Sequence, residues 1–217
     1  MRVVFATSNP HKIREVRSIL GAQGIEVWSL DDVLGHHPEL APLDFGGQPE
    51  PEEDGDTFED NARIKARAYA GALGRPCLAE DSGLEVDALG GRPGVHSARY
   101  SGIDGSRTAR DRANNDKLLA EMAAVPDDQR SARFVCSMCL ADPTGKVLAE
   151  ARGVFEGVIA RAPRGEGGFG YDPLLYLADV DKCSAELSAQ EKNARSHRGD
   201  AARKLARALA ELQRGRP

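Results

Sequence analysis

Apolar positions near the start of the chain switch between short unbroken runs and helical spacing. Val3 to Ala6 is an apolar run that reads as a buried strand. From Pro10 to Leu20 the residues Ile13, Val16, Ile19 and Leu20 recur at helical spacing. Ser8 or Asn9 is placed to cap that helix, and Pro10 suits its first turn. Residues 35 to 56 are rich in Pro, Gly and acids and read as a long loop, with room for short strands. A single loop of that length is usually functional or mobile. Thr57 caps a second helix with Asp60 in the capping-box position. Phe58, Ala62, Ala66, Tyr69, Ala70 and Leu73 form its apolar face, and Gly74 ends it. Pro76 to Ala79 reads as a buried strand. Glu80 and Asp81 stand where that strand is expected to stop, ahead of a Ser82-Gly83 turn.

The same reading gives a helix from Arg107 to Ala124 and a strand from Ala132 to Ala141. A turn at Asp142-Pro143-Thr144-Gly145 leads to a hairpin partner from Lys146 to Arg152. Leu174 to Leu177 is a further strand, and Ser188-x-x-Glu191 opens a short helix. An Ala-rich amphipathic helix runs from Asp200 to Leu212, and the final Arg-Gly-Arg-Pro reads as a frayed tail. Helices alternating with strands, then a hairpin, point to an α/β fold, a mixed twisted sheet with flanking helices, and the length suits one large domain over residues 1–217 or two small lobes.

Composition narrows the function classes. The chain has 217 residues, 41% of them hydrophobic and 29% charged, which suits a soluble domain with a sizeable core. A net charge of −5 argues against non-specific binding to nucleic acid. No apolar run approaches the roughly 20 residues that cross a bilayer. The apolar piece at the N-terminus is too short for a signal peptide, so the expected compartment is the cytoplasm. Cysteines at 77, 136, 139 and 183 are few for a disulfide scaffold. Cys136 and Cys139 match C-x-x-C but lie in a strand, where residues three apart face opposite ways. Buried, inert thiols are expected.

Four stretches could carry chemistry. Thr7-Ser8-Asn9-Pro10-His11-Lys12 ends a strand and opens a helix, and its free N–H groups with Lys12 favour an anion. It is not a Walker loop, and an ordinary helix cap with a solvated lysine stays open. The acidic clusters Glu52-Glu53-Asp54 and Glu80-Asp81 repel unless a cation joins them, and magnesium takes one or two carboxylates plus water and phosphate. A solvated loop is the alternative for the first cluster. Arg164 to Pro173 contains G-x-G-x-x-G, but Tyr171-Asp172-Pro173 cannot open the helix that a dinucleotide site needs. It presents Phe169 and Tyr171 beside Asp172, which suits either a purine pocket or a packed hairpin loop. Lys192, His197 and Arg198 cluster at a helix boundary, as an anion or base-edge site or as a solvated junction. A Ser-His-Asp triad lacks the G-x-S-x-G elbow that would support it.

Together these stretches resemble the inosine/xanthosine triphosphate pyrophosphatase family. The matching pieces are T-S-N-P-H-K at 7–12, E-D-G-D-T-F-E-D-N-A at 53–62, and A-E-D-S-G-L at 79–84. They continue with L-G-G-R-P-G-V-H-S-A-R-Y at 89–100, G-G-F-G-Y-D-P at 167–173, and S-H-R-G at 196–199. The resemblance implies two lobes around a central cleft, a homodimer, and magnesium-dependent hydrolysis of a purine nucleoside triphosphate such as ITP, dITP or XTP. It implies the monophosphate and pyrophosphate as products. It further implies that Thr7, Ser8, Asn9, Pro10, His11 and Lys12 hold the phosphates, that Asp81 is the catalytic carboxylate, and that Glu53 and Asp81 serve the metal. Ser82, Phe169, Gly170, Tyr171, Asp172, Lys192, His197 and Arg198 would line the nucleotide site. Glu80 stands where many relatives carry Asp, and its role is open. A pyrimidine-preferring pyrophosphatase and a non-catalytic nucleotide binder are the competing readings.

Overall fold

Short apolar runs and helical spacing resolve into seven strands and six α-helices in the computed structural model, which describes residues 2–41, 43–45 and 50–214. In chain order these are β1 (Arg2–Phe5), α1 (Pro10–Gly21), β2 (Glu26–Ser29), α2 (Leu30–His36), α3 (Phe58–Leu73) and β3 (Cys77–Val86). They continue as α4 (Arg107–Glu121), β4 (Ser131–Ala141), β5 (Val147–Ile159), β6 (Leu175–Leu177), β7 (Lys182–Cys183), α5 (Ala189–Arg195) and α6 (His197–Arg214). The strands form one sheet in the order β2-β1-β3-β4-β5-β6-β7. β1 pairs in parallel with β2 and β3, and β6 is antiparallel to β5 and β7, so the sheet is mixed as expected.

The chain divides into two compact units. The first comprises Met1–Asp81, Cys136–Gly153 and His197–Pro217. Its strands are apolar on both faces, as a sheet covered on both sides requires. Val3, Phe5, Leu78, Cys136, Met138 and Leu140 meet Val16 and Leu20 of α1 and Ala201, Ala202 and Leu205 of α6. The intervening residues Val4, Ala6, Cys77, Ala79, Cys139 and Ala141 turn the other way, onto Ala62, Ala66, Tyr69 and Ala70 of α3 and Val33 of α2. Cys136 and Cys139 therefore sit in opposite layers. All four cysteines are buried and unbridged, and burial pushes the Cys77 and Cys139 thiols up to about 12.

The second unit comprises Ser82–Val135 and Val154–Ser196. Leu84, Val86, Phe134, Phe155 and Ile159 pack with Leu118 and Met122 of the α4 region and with Tyr100, Tyr171, Leu174 and Leu175. Asn114 of α4 anchors the segment before it, accepting the Ser101 N–H at 2.7 Å and donating to the Ser97 carbonyl at 3.2 Å.

The structure departs from the sequence reading most clearly in four places. β2 and α2 occupy residues 26–36, of which 26–34 carry no assignment and 35–36 read as the start of the long loop, because a four-residue strand followed directly by a helix shows no full period. A Ser29/Asp32 capping box opens α2. β5 runs on to Ile159, beyond Arg152. α6 begins at His197 rather than Asp200, so His197 and Arg198 lie in its first turn; it runs to Arg214, and residues 215–217 of the expected tail lie outside the described residues. Most consequentially, β3 does not stop at Ala79 but carries Glu80 and Asp81 in mid-strand.

Gly153 of β5 lets the start of α6 approach. A Cβ there would lie 2.1 Å from the His197 carbonyl oxygen and 2.4 Å from the Ala201 nitrogen, both backbone atoms that cannot rotate away. Gly153→Ala is expected to destabilise by about 1–3 kcal/mol or more, lowering Tm by several degrees. Gly71, on the exposed side of α3 with nothing within 4 Å of a Cβ, is the control. Gly71→Ala should raise stability by up to about 1 kcal/mol, and thermal denaturation of the two variants checks both signs.

Candidate active site

Along a strand successive side chains point to opposite faces. Glu80 therefore follows Leu78 toward α1 and α6, and Asp81 follows Cys77 and Ala79 toward α3. The two adjacent acids do not form a pair. Each has its own cation on its own side of the sheet, and that is why the strand can run through them without a turn. Gly83 likewise is not a turn residue. It is extended in β3, and glycine is needed there because a Cβ would lie 2.3 Å from Ser97 Oγ, the hydroxyl that accepts the Leu84 N–H at 2.9 Å.

Glu80 is buried in a four-charge network. Arg198 grips it with a fork: Nε donates to Oε2 and Nη2 to Oε1, both at 2.8 Å. Lys12 Nζ lies 3.1 Å from Oε1, and the Cys136 thiol donates weakly to Oε2 at 3.5 Å. Arg198 uses Nη1 to reach Glu15 Oε2 at 2.6 Å. Burial alone would raise the Glu80 carboxyl, but the Arg198 and Lys12 charges outweigh it and hold the group well below the usual carboxylate range. Burial likewise disfavours the Arg198 charge, and Glu80 and Glu15 more than restore it. The resemblance places Arg198 among residues lining a nucleotide. In the structure its guanidinium is almost wholly buried and spent on two carboxylates.

On the other face, Asp81 Oδ1 accepts from Lys65 Nζ at 3.0 Å and Oδ2 from Asn61 Nδ2 at 3.3 Å. Lys65 Nζ also reaches Glu53 Oε2 at 3.0 Å. Burial pushes the Asp81 carboxyl above its usual range; Lys65 opposes the rise and the like charge of Glu53 adds to it. Burial works against the Lys65 ammonium, but Asp81 and Glu53 hold it charged, with its pKa raised. Asn61 and Lys65 stand one turn apart on α3. Asn61 is a functional candidate that the sequence reading does not single out, and Lys65 is one whose role it leaves open, like that of Glu80. Their signal was two polar residues at i, i+4 inside the apolar stripe of Phe58, Ala62, Ala66 and Tyr69.

Oxygens of Glu53 and Asp81 thus converge on one cation. Two carboxylates, one of them in a loop and one on a rigid strand, suit magnesium, which keeps water and substrate phosphate in its remaining positions. Among the described residues no group of three or more His, Cys, Asp or Glu side chains is placed to form a fuller cage.

The start of α1 is built as the sequence suggested. Asn9 Oδ1 accepts the His11 N–H at 3.0 Å, Pro10 occupies the first turn, and Thr7 Oγ1 accepts the Asn9 N–H at 3.2 Å. Ser8 Oγ donates to Glu50 Oε1 at 2.9 Å, and the His11 ring meets Arg14 Nη2 at 2.9 Å. Lys12 stands in this first turn, partly exposed, with Glu80 behind it.

In the second unit the glycine loop is organised by Asp172. Its Oδ2 accepts the Phe169 N–H at 2.8 Å and Lys192 Nζ at 2.6 Å, and its Oδ1 accepts Ser184 Oγ at 2.8 Å. Gly168 is at φ +75°, and a Cβ there would lie 2.1 Å from Asp172 Oδ2, so only glycine fits beside this carboxylate. The two aromatics of the loop separate. Tyr171 is core: buried, with its hydroxyl donating to the Ser97 carbonyl at 2.9 Å. Phe169 carries two cations over its ring, Arg107 at 4.8 Å and Lys192 at 5.2 Å from the centroid. No helix follows Gly170, in keeping with the rejection of a dinucleotide motif. Ser82 is a half-buried residue of β3 in this unit, while His197 is buried in the first turn of α6 in the first unit.

Comparison with known proteins gives the family. The family model described as Ham1 family matches residues 3–208. A dITP/XTP pyrophosphatase of Geobacillus kaustophilus is 47% identical over 214 residues, covering 99% of this chain and 97% of the relative. A dITP/XTP pyrophosphatase of Bacillus subtilis is 44% identical, covering 95% and 96%. Among solved structures, a HAM1 protein from Coxiella burnetii superposes with a TM-score of 0.80 at 39% identity, covering 97% of this chain and 99% of that one. A nucleoside-triphosphatase / dITP/XTP pyrophosphatase from Mycobacterium abscessus gives 0.70 at 42% identity, with 98% of each chain covered.

Because the Glu80 pKa is depressed in the fold, its contribution to stability is fully present above the ordinary glutamate value. It is lost as pH falls below about 4.3 toward the lower folded value. Glu80→Gln should therefore cost about 3–5 kcal/mol at pH 7 and flatten the acid dependence of the unfolding free energy, read by urea denaturation from pH 7 to pH 3.

Proposed function

The chain belongs to the Ham1 family, and as such it is a nucleoside-triphosphate pyrophosphatase acting on non-standard purine nucleotides such as dITP and XTP; we propose that Asp81, with magnesium held at Asp81 and Glu53, runs the reaction. The observation that carries this reading is the convergence of Asp81 and Glu53 on one cation, Lys65 Nζ, at 3.0 Å each.

In the first unit the triphosphate meets positive charge and free N–H groups. Lys12 and the start of α1, from Thr7 to His11, offer both to the phosphates. Lys65 sits between the carboxylates, ready to contact a phosphate oxygen. Magnesium, held by Asp81 and Glu53, would supply further charge neutralisation and lower the pKa of a water. Asp81, fixed by Asn61 and by the rigid strand, orients the attacking water toward the α-phosphorus and takes its proton. Its raised pKa suits a base that is not held too firmly ionised. Bond cleavage between the α and β phosphates gives monophosphate and pyrophosphate.

In the second unit Phe169 offers a face for the purine, and Lys192, aimed by Asp172, offers a donor to its 6-oxygen. Adenine, with a 6-amino group, would set donor against donor there. Leaving a buried polar group unpaired makes such rejection large. Cytoplasmic location, expected from the short apolar piece at the N-terminus, and a homodimer, implied by the resemblance, complete this reading, and light scattering tests the dimer.

Purified protein with magnesium should release pyrophosphate, not orthophosphate, from ITP, dITP and XTP, with far slower turnover of ATP, dUTP and TTP. Asp81→Asn should lower kcat by roughly 10²–10⁴-fold. Orthophosphate release, or a preference for dUTP or TTP, would contradict the assignment.

A further inference from the structure

One stripe of α4 is spent on the glycine loop rather than on the core. Arg107, Asp111 and Asn115 stand at i, i+4 and i+8, on one helix face. Asp111 Oδ2 accepts the Gly170 N–H at 2.9 Å, and Asn115 Nδ2 donates to the Gly170 carbonyl at 3.0 Å. The Arg107 guanidinium lies over the Phe169 ring and 4.0 Å from Asp111. The Phe169 N–H already goes to Asp172, and the Phe169 carbonyl accepts the Asp172 N–H at 3.3 Å. Every backbone polar group of Phe169 and Gly170 is therefore held, two of the four by α4. A glycine-rich segment left to itself has wide conformational freedom, so this degree of fixation marks a part that must keep one geometry.

We propose that Arg107, Asp111 and Asn115 are positioning residues for the purine: they hold Phe169 at the angle on which the base stacks, and so set affinity for the base without acting on the phosphates. This rests on the reading of Phe169 as the base platform. Asp111→Ala frees the Gly170 N–H, whereas Asp111→Asn keeps an oxygen that can accept it.

The test is steady-state kinetics with ITP, inhibition by inorganic pyrophosphate, and amide hydrogen exchange of residues 169–170. Asp111→Ala should raise KM for ITP about tenfold, the scale of one lost charge-assisted hydrogen bond, with a smaller change in kcat. The pyrophosphate inhibition constant should stay within twofold, exchange at 169–170 should accelerate, and Asp111→Asn should recover most of the affinity. An unchanged KM, or a pyrophosphate constant that moves in step with KM, would overturn the proposal. A wild-type chain that releases no pyrophosphate from ITP would instead overturn the functional reading. The exchange measurement then decides the clamp by itself, and unchanged protection in Asp111→Ala refutes it.

Discussion

The buried ion pair between Glu80 and Arg198 is the constraint on which the site is built. A carboxylate in mid-strand with almost no exposure is untenable without a partner, because the cost of removing its charge from water is several kcal/mol. Arg198 supplies a bidentate match from the first turn of α6, Lys12 adds a second cation from α1, and Glu15 balances Arg198 from behind. One network thus ties three separated parts of the chain, residues 12–15, 80 and 198, to a single point. It also leaves Lys12 fixed at the start of α1, where an anion is favoured.

The pleat of β3 then separates two jobs. Glu80, on one face, is consumed by the fold. Asp81, on the other, sees Lys65, Asn61 and Glu53, a polar set on its own side of the sheet. The second unit repeats the device with different parts. Asp172 is fully engaged by Phe169, Ser184 and Lys192, so it too aims a cation and fixes a loop rather than standing open to solvent. In both units a buried carboxylate orients a lysine, Lys12 in one and Lys192 in the other. Preorganised cations of this kind need little rearrangement when an anionic or polar oxygen arrives.

Much of this was legible in the sequence, and the failures have physical reasons. Helix caps at Asn9, Thr57 and Ser188 were readable because capping is local. The strand alternation that splits Cys136 from Cys139 was readable for the same reason. The identical alternation was not carried through Glu80-Asp81, since two charges in a row signal a strand end unless their partners are known. Those partners, Arg198 at 118 positions away and Lys65 at 16, are set by tertiary packing. The apolar pattern of the last helix faded at His197 and Arg198 because their burial comes from Glu80 and from the tight contact at Gly153, not from apolar character. Tyr171 looked like a second presented aromatic, but its neighbours in the core and the Ser97 carbonyl claim it.

The most direct measurement is a double-mutant cycle on the unfolding free energy with Glu80→Gln, Arg198→Met and the combination, at pH 7. If the two charges depend on each other as the bidentate geometry requires, the double variant loses less than the sum of the single losses by about 2–3 kcal/mol. Additivity within about 0.5 kcal/mol would show that Glu80 and Arg198 are buried independently, and the division of labour along β3 would have to be abandoned.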